Sequence, residues 1–161
     1  MENEERKTLA GIKAGDTLKF WEIPCLFNTT IDEVGTLYRF YYCEGENKWF
    51  YKEVPYIRVS IDEQTKKYLN SEYQYVVEDN PMRILKPYHR TIIDTAYIGT
   101  VQIIRQWVPY VYLLEKDVDK AKKIFTEYYT KRLNIYKATV EGLQGTILNL
   151  ANANEIEESE R

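Results

Sequence analysis

Hydrophobic and polar positions follow two different periods along the chain. From residue 10 to residue 114, apolar positions come in short extended stretches rich in aromatic and β-branched side chains, which suit strands. From Asp117 to Leu150 they recur every three or four residues, the period of a helix. The clearest extended pair is Thr36–Cys43 (TLYRFYYC) and Lys48–Val54 (KWFYKEV). Between them, Glu44, Gly45, Glu46 and Asn47 make a short polar loop that contains residues tolerant of positive φ, so the pair predicts a hairpin. Upstream, Thr17–Ile23 predicts a strand that stops at Pro24. Asp32 and Glu33 predict a turn, with a strand starting at Gly35. Pro55 is expected to break the second hairpin strand, and Tyr56–Ile61 resumes an extended path. Asp62–Leu69 has acids at its start and lysines near its end, the charge order of a short helix. Tyr73–Val77 predicts a strand and Asn80-Pro81 a turn.

Thr91–Val108 reads two ways. Ile92, Ile93, Ala96, Tyr97, Val101, Ile104 and Val108 recur at helical spacing. The β-branched content and the Gly99-Thr100 pair favour two strands with a bend between them. Strands are preferred, with Pro109 ending the second and Tyr110–Leu114 forming a short apolar strand.

The C-terminal pattern is the most regular. Val118, Ala121, Phe125, Tyr129, Leu133, Tyr136, Val140, Leu143, Ile147 and Leu150 form one stripe, and from Leu133 onward the steps alternate between three and four. Asp117 is placed to cap the helix. Unbroken, such a helix spans about 50 Å, longer than a compact domain of this size needs. Gly142 and Gly145 weaken it by about 1 kcal/mol each relative to alanine. They either break it in two or, with Ala138, make a strip of small residues that a second helix can approach. The fold class expected is α+β: a small twisted, aromatic-rich antiparallel sheet or partial barrel, followed by a long amphipathic helix. One domain is expected, mainly β over 10–114 and helical over 117–150. Residues 1–8 are expected to fray, and 152–161 to form a disordered acidic tail.

Composition narrows the chemistry. The chain has 161 residues and a net charge of -3, with 15 tyrosines, two cysteines and one histidine. Lys, Asn, Ile, Tyr and Phe together exceed a third of it, a bias that an AT-rich coding genome produces and that fits a phage or mobile-element protein without requiring one. Cys25, Cys43 and His89 are too few and too scattered for a structural zinc site. No metal and no cofactor is expected. Met1 is followed by Glu2, Asn3, Glu4 and Glu5 rather than a secretory leader, and no apolar run approaches a membrane span. A cytoplasmic location with free thiols is therefore expected, with Cys43 packed at its strand end as a small hydrophobe.

Catalytic motifs are missing: no GxSxG elbow, no GxxxxGK[ST] and no GxGxxG. Asp32-Glu33 and Asp62-Glu63 read as turn and helix-start residues. The local anomaly is Arg83–Arg90 (RILKPYHR), where Arg83, Lys86, His89 and Arg90 stand without an acid and Tyr88 offers a ring. Such a block suits an anion, whether a phosphate, a nucleotide or an acidic face of a protein, although a solvated basic connection has the same composition. Arg39, Tyr41, Lys48, Lys52 and Arg58 mix bases with aromatics, as single-strand nucleic-acid binders do, but one aromatic sheet face must also be core.

The surplus apolar stripe calls for a partner helix, and the simplest source is a second copy, with Phe125, Tyr129, Leu133, Tyr136, Val140, Leu143 and Ile147 at the interface. The function expected is a non-enzymatic binding protein, homo-oligomeric through this helix, that binds a protein or a small anionic ligand. Small accessory, regulatory and inhibitor proteins of bacteria and phages share this profile. The alternatives are a nucleic-acid-binding regulator using Arg83, Lys86 and Arg90, and a small enzyme using His89 with Asp94 or a tyrosine as acid and base.

Overall fold

The computed structural model describes residues 4–19, 21–23, 29–60, 63, 67, 73–79, 82–85, 93–101 and 104–158. The chain divides into two compact units, Met1–Ile124 and Phe125–Arg161. The first is a curled antiparallel sheet. Its strands are β1 (Thr17–Leu18), β2 (Thr29–Cys43), β3 (Lys48–Ser60), β4 (Tyr73–Glu78), β5 (Met82–Leu85), β6 (Ala96–Val101) and β7 (Gln106–Leu113). They lie in the order β5-β4-β3-β2-β7-β6, with β1 added to β2.

The spine of the sheet is the β2–β3 hairpin. Its aromatic strands pair from Cys43↔Lys48 through Gly35↔Tyr56, with a bulge between Ile31 and Glu33. Asn47 takes the positive φ that its loop requires. Cross-strand rings reinforce the register: Tyr41 stacks on Phe50 at 5.4 Å and Tyr42 meets Trp49 at 5.4 Å. Side chains alternate between the two faces, and each face has its own core. On one, Ile31, Ile57, Val59 and Val76 are covered by Leu9, Ile12, Leu18 and Ile23 from the N-terminal segment. On the other, Leu37, Val54, Tyr56, Val77, Leu85, Ile93 and Tyr112 cluster with Tyr75, Tyr97 and Tyr110.

The second face is the concave one. Arg83 on β5 reaches the Tyr110 hydroxyl on β7 at 3.5 Å. Those strands stand four places apart, which in a flat sheet means about 19 Å. Only a sheet curled around this face brings them together, and the result is a half-barrel.

Several local expectations change. Thr17–Ile23 is a strand only over Thr17–Leu18; Glu22 instead turns back to accept the Lys19 backbone N–H at 2.9 Å. The hairpin strands are longer than predicted, and Asp32 and Glu33 lie inside β2. Neither Pro55 nor Pro109 ends a strand. Each sits where its strand has one neighbour: β4 pairs with β3 only from Tyr56 onward, and β2 pairs with β7 only from Tyr110 onward. The missing N–H then deprives no ladder. Thr91–Val108 is not helical where described. Gly99 and Thr100 belong to β6, and the bend lies beyond Val101, at Ile104 and Arg105. The N-terminal residues 4–8 are tied by Arg6, which pairs with Glu22 at 3.1 Å. Asp62–Leu69, apart from Glu63 and Lys67, lies outside the described residues, as do Asn80-Pro81 and Cys25.

The C-terminal helix, α1, runs Val118–Asn152. Asp117 caps it, its Oδ1 accepting the backbone N–H groups of Asp119 at 3.1 Å and Lys120 at 3.2 Å. The helix passes through Gly142 and Gly145 without a break.

Candidate functional site

Two features of the described chain differ from ordinary core packing. The first is polar and lies inside the half-barrel. Arg39 on β2 stands opposite Lys52 on β3 and opposite Tyr112 on β7, so the three form one row across the sheet. All three converge on Asp79, which follows β4. Arg39 Nη1 lies 2.7 Å from each carboxylate oxygen, Lys52 Nζ donates to Oδ1 at 3.2 Å, and the Tyr112 hydroxyl donates to Oδ2. The Asp79 side chain is 1% exposed.

Burial opposes ionisation of Asp79. The Tyr112 hydrogen bond and the Arg39 and Lys52 charges outweigh it, and the carboxyl titrates below its ordinary range. Tyr112 is driven the opposite way, first by burial and then by the Asp79 carboxylate, and stays a neutral donor. An ion pair with both carboxylate oxygens occupied and a buried phenol as third donor is a structural lock. Burial also raises Tyr56 and Tyr97 to about 12.

The next row along the same face is entirely aromatic: Phe50, Tyr41, Tyr110 and Tyr97 are successive partners across β3, β2, β7 and β6. Two tyrosines lie over glycines. A Cβ on Gly35 would stand 2.9 Å from the Tyr56 ring, and one on Gly99 would stand 2.5 Å from the Tyr110 ring. Arg83 belongs to this face, half-buried beside Tyr110, and makes no ion pair among the described residues. Lys86, Tyr88, His89 and Arg90 lie outside the described residues, so the predicted basic block is represented by Arg83 alone. Asp94, the acid considered beside His89, pairs with Lys120 at 2.9 Å. Among the described residues no three His, Cys, Asp or Glu side chains gather as a metal set. No helix in them is long and apolar enough to cross a membrane.

The basic–aromatic set of the hairpin is dispersed in its roles. Arg39 and Tyr41 are buried, Lys52 is held by Asp79, and Arg58 pairs with Glu33 at 3.4 Å and lies over the Tyr73 ring at 4.6 Å. Cys43 is half-buried at the end of β2.

The second feature is the helix stripe. Phe125 is buried, but Tyr129, Leu133, Tyr136, Val140, Leu143, Ile147 and Leu150 are each between 49% and 71% exposed. Their steps alternate four and three, which assigns Leu133, Val140 and Ile147 to a positions of a heptad and Tyr129, Tyr136, Leu143 and Leu150 to d positions. Ala138, Gly142 and Gly145 fall at f, c and f, on the far side of the helix from this seam. A Cβ at either glycine meets nothing within 4 Å. Ile135 and Leu148 are exposed outside the seam. Arg132, at a g position, is held by the hydroxyls of Tyr128 at 3.1 Å and Tyr136 at 2.8 Å on its own helix.

The acid lock has no local signature in the sequence. Asp79 is a lone aspartate after a strand, and its partners lie 27 to 40 residues away. The heptad seam, by contrast, is visible in spacing alone. No protein-family model, curated protein or solved structure matches the chain.

Proposed function

We propose that this is a non-enzymatic binding protein that works as a homo-oligomer, with α1 as the element that joins the copies. The observation that carries the reading is the exposed heptad seam from Tyr129 to Leu150. Exposed large side chains scattered singly need no explanation, but a continuous apolar stripe over three heptads does. The half-barrel supports the non-enzymatic part, because its buried carboxylate, Asp79, is held by Arg39, Lys52 and Tyr112. Size-exclusion chromatography with light scattering tests the reading. The mass is expected to be a multiple of 19.2 kDa, and Leu143→Glu with Ile147→Glu is expected to return it to one chain while the sheet stays folded. A strict monomer at high concentration would remove the oligomer from the proposal.

A small anion is the ligand that the half-barrel favours. Arg39, Lys52 and Arg83 share this face with Asp79, an excess of positive charge in a chain whose net charge is negative. Thermal shift in pyrophosphate against chloride at equal ionic strength tests this clause. Stabilisation that disappears in Arg83→Ala is expected, and equal curves would exclude it.

A further inference from the structure

We infer that the partner of α1 is a second copy of the same helix, paired in parallel as a two-stranded coiled coil over Tyr129–Leu150. This rests on the self-association proposed above and adds strand number and direction. The argument starts from which residue types occupy which heptad positions. Val140 and Ile147 are β-branched and stand at a, while Leu143 and Leu150 stand at d. In parallel pairs the two layers differ in geometry, and β-branched side chains at a with leucine at d favour two strands. An antiparallel pair packs a against d in every layer, so it has no reason to keep β-branched residues and leucine apart. That segregation holds over Val140–Leu150, while Leu133 stands at a and Tyr129 and Tyr136 at d, so the strand number and direction rest on the C-terminal part of the seam.

The flanks agree with a narrow seam. Thr139 and Thr146, at g, donate their hydroxyls to Ile135 and Gly142 carbonyls of their own helix at 3.0 Å each. They ask for no partner. Arg132 at g and Lys137 at e face each other between parallel copies. Lys137 is exposed and Arg132 half-exposed, so the repulsion is screened, and Arg132 is already drawn to Tyr128 and Tyr136. The area is sufficient. At roughly 100 Å² of newly covered surface per seam residue, two helices bury about 1,400 Å², inside the range of specific stable interfaces. By chain order, the parallel arrangement makes residues 1–124 of both copies enter the coil from the same end.

The test is oxidation of Leu150→Cys in a Cys25→Ser, Cys43→Ser background, with light scattering of the reduced protein. A parallel pair places the two residues 150 in one layer, and a disulfide-linked dimer is expected in high yield. An antiparallel pair separates them by about 30 Å along the axis, and no such product forms. A reduced dimer that does not cross-link overturns the direction, and a nitroxide at the outward-facing Asn149 then reads a separation above about 30 Å instead of the shorter one expected for parallel helices. A trimer or tetramer overturns the strand number and leaves self-association standing. A monomer overturns both.

Discussion

At the scale of single residues, the half-barrel is held by a few side chains whose environment makes them irreplaceable. Asp79 is the first. Asp79→Asn removes the charge that three donors share and leaves Arg39 buried without its counter-ion, a loss expected to cost about 3 kcal/mol. Urea denaturation reads it as a lower midpoint with an unchanged slope. The same carboxyl sets the acid limb of stability. Its folded pKa lies below the ordinary 3.8, so the stabilisation is complete above about pH 4 and is lost as pH falls through the folded value. Asp79→Asn is expected to flatten that limb; an unchanged acid profile would show that Asp79 is not its source.

The tyrosines govern the alkaline side. Tyr56 and Tyr97 are neutral in the fold up to about 12, against about 10 in an unfolded chain. Their contribution is complete below pH 10 and is lost as pH rises toward 12. Phenolate absorbance should therefore rise in two steps, the later one together with loss of the sheet signal in circular dichroism. A single step near pH 10 with the sheet intact would contradict this. Gly99 is the steric counterpart. Its Cβ would press on the Tyr110 ring, and Gly99→Ala is expected to destabilise by about 1–3 kcal/mol in the same urea measurement. Tyr110→Leu should recover part of that loss in the double variant.

At the scale of elements, α1 and the β2–β3 hairpin are legible in the sequence, and the reasons are local. Each carries its period and its end signal within a few residues: a heptad stripe behind Asp117, and two aromatic runs joined by a loop with Gly45 and Asn47. The prolines misled because their tolerance is decided by a strand distant in sequence; nothing near Pro55 tells that β4 stops at Tyr56. The Asp79 lock was invisible for the same reason. Propensity alone makes the glycines of α1 either breakers or, with Ala138, a strip that a second helix can approach. The helix continues through both, and open space surrounds each Cβ site. Gly142→Ala with Gly145→Ala is therefore expected to stabilise α1 by about 2 kcal/mol, from about 1 per site. The melting of the helical signal reports it. Destabilisation would mean that the f and c face is covered by something bulky, and would move the interface away from the seam.

At the scale of the whole molecule, the question is what keeps a 35-residue helix with an exposed apolar face ordered in water. Intrinsic propensity is a weak answer. Isolated helices are marginal, and two glycines lower this one further. Packing of its stripe is the stronger source, and from Tyr129 onward, where the stripe is exposed, the proposed second copy supplies it. Association of this kind is linked to concentration by mass action. The helical part of the circular dichroism signal should then melt at lower temperature on dilution, while the sheet signal and tyrosine fluorescence of the half-barrel stay where they were. Leu143→Glu buries a carboxylate in the middle of the paired seam, so at any concentration it should give the melting curve of the dilute wild type. Helix and sheet melting together, independent of concentration and of Leu143→Glu, would show that α1 is stable without a partner.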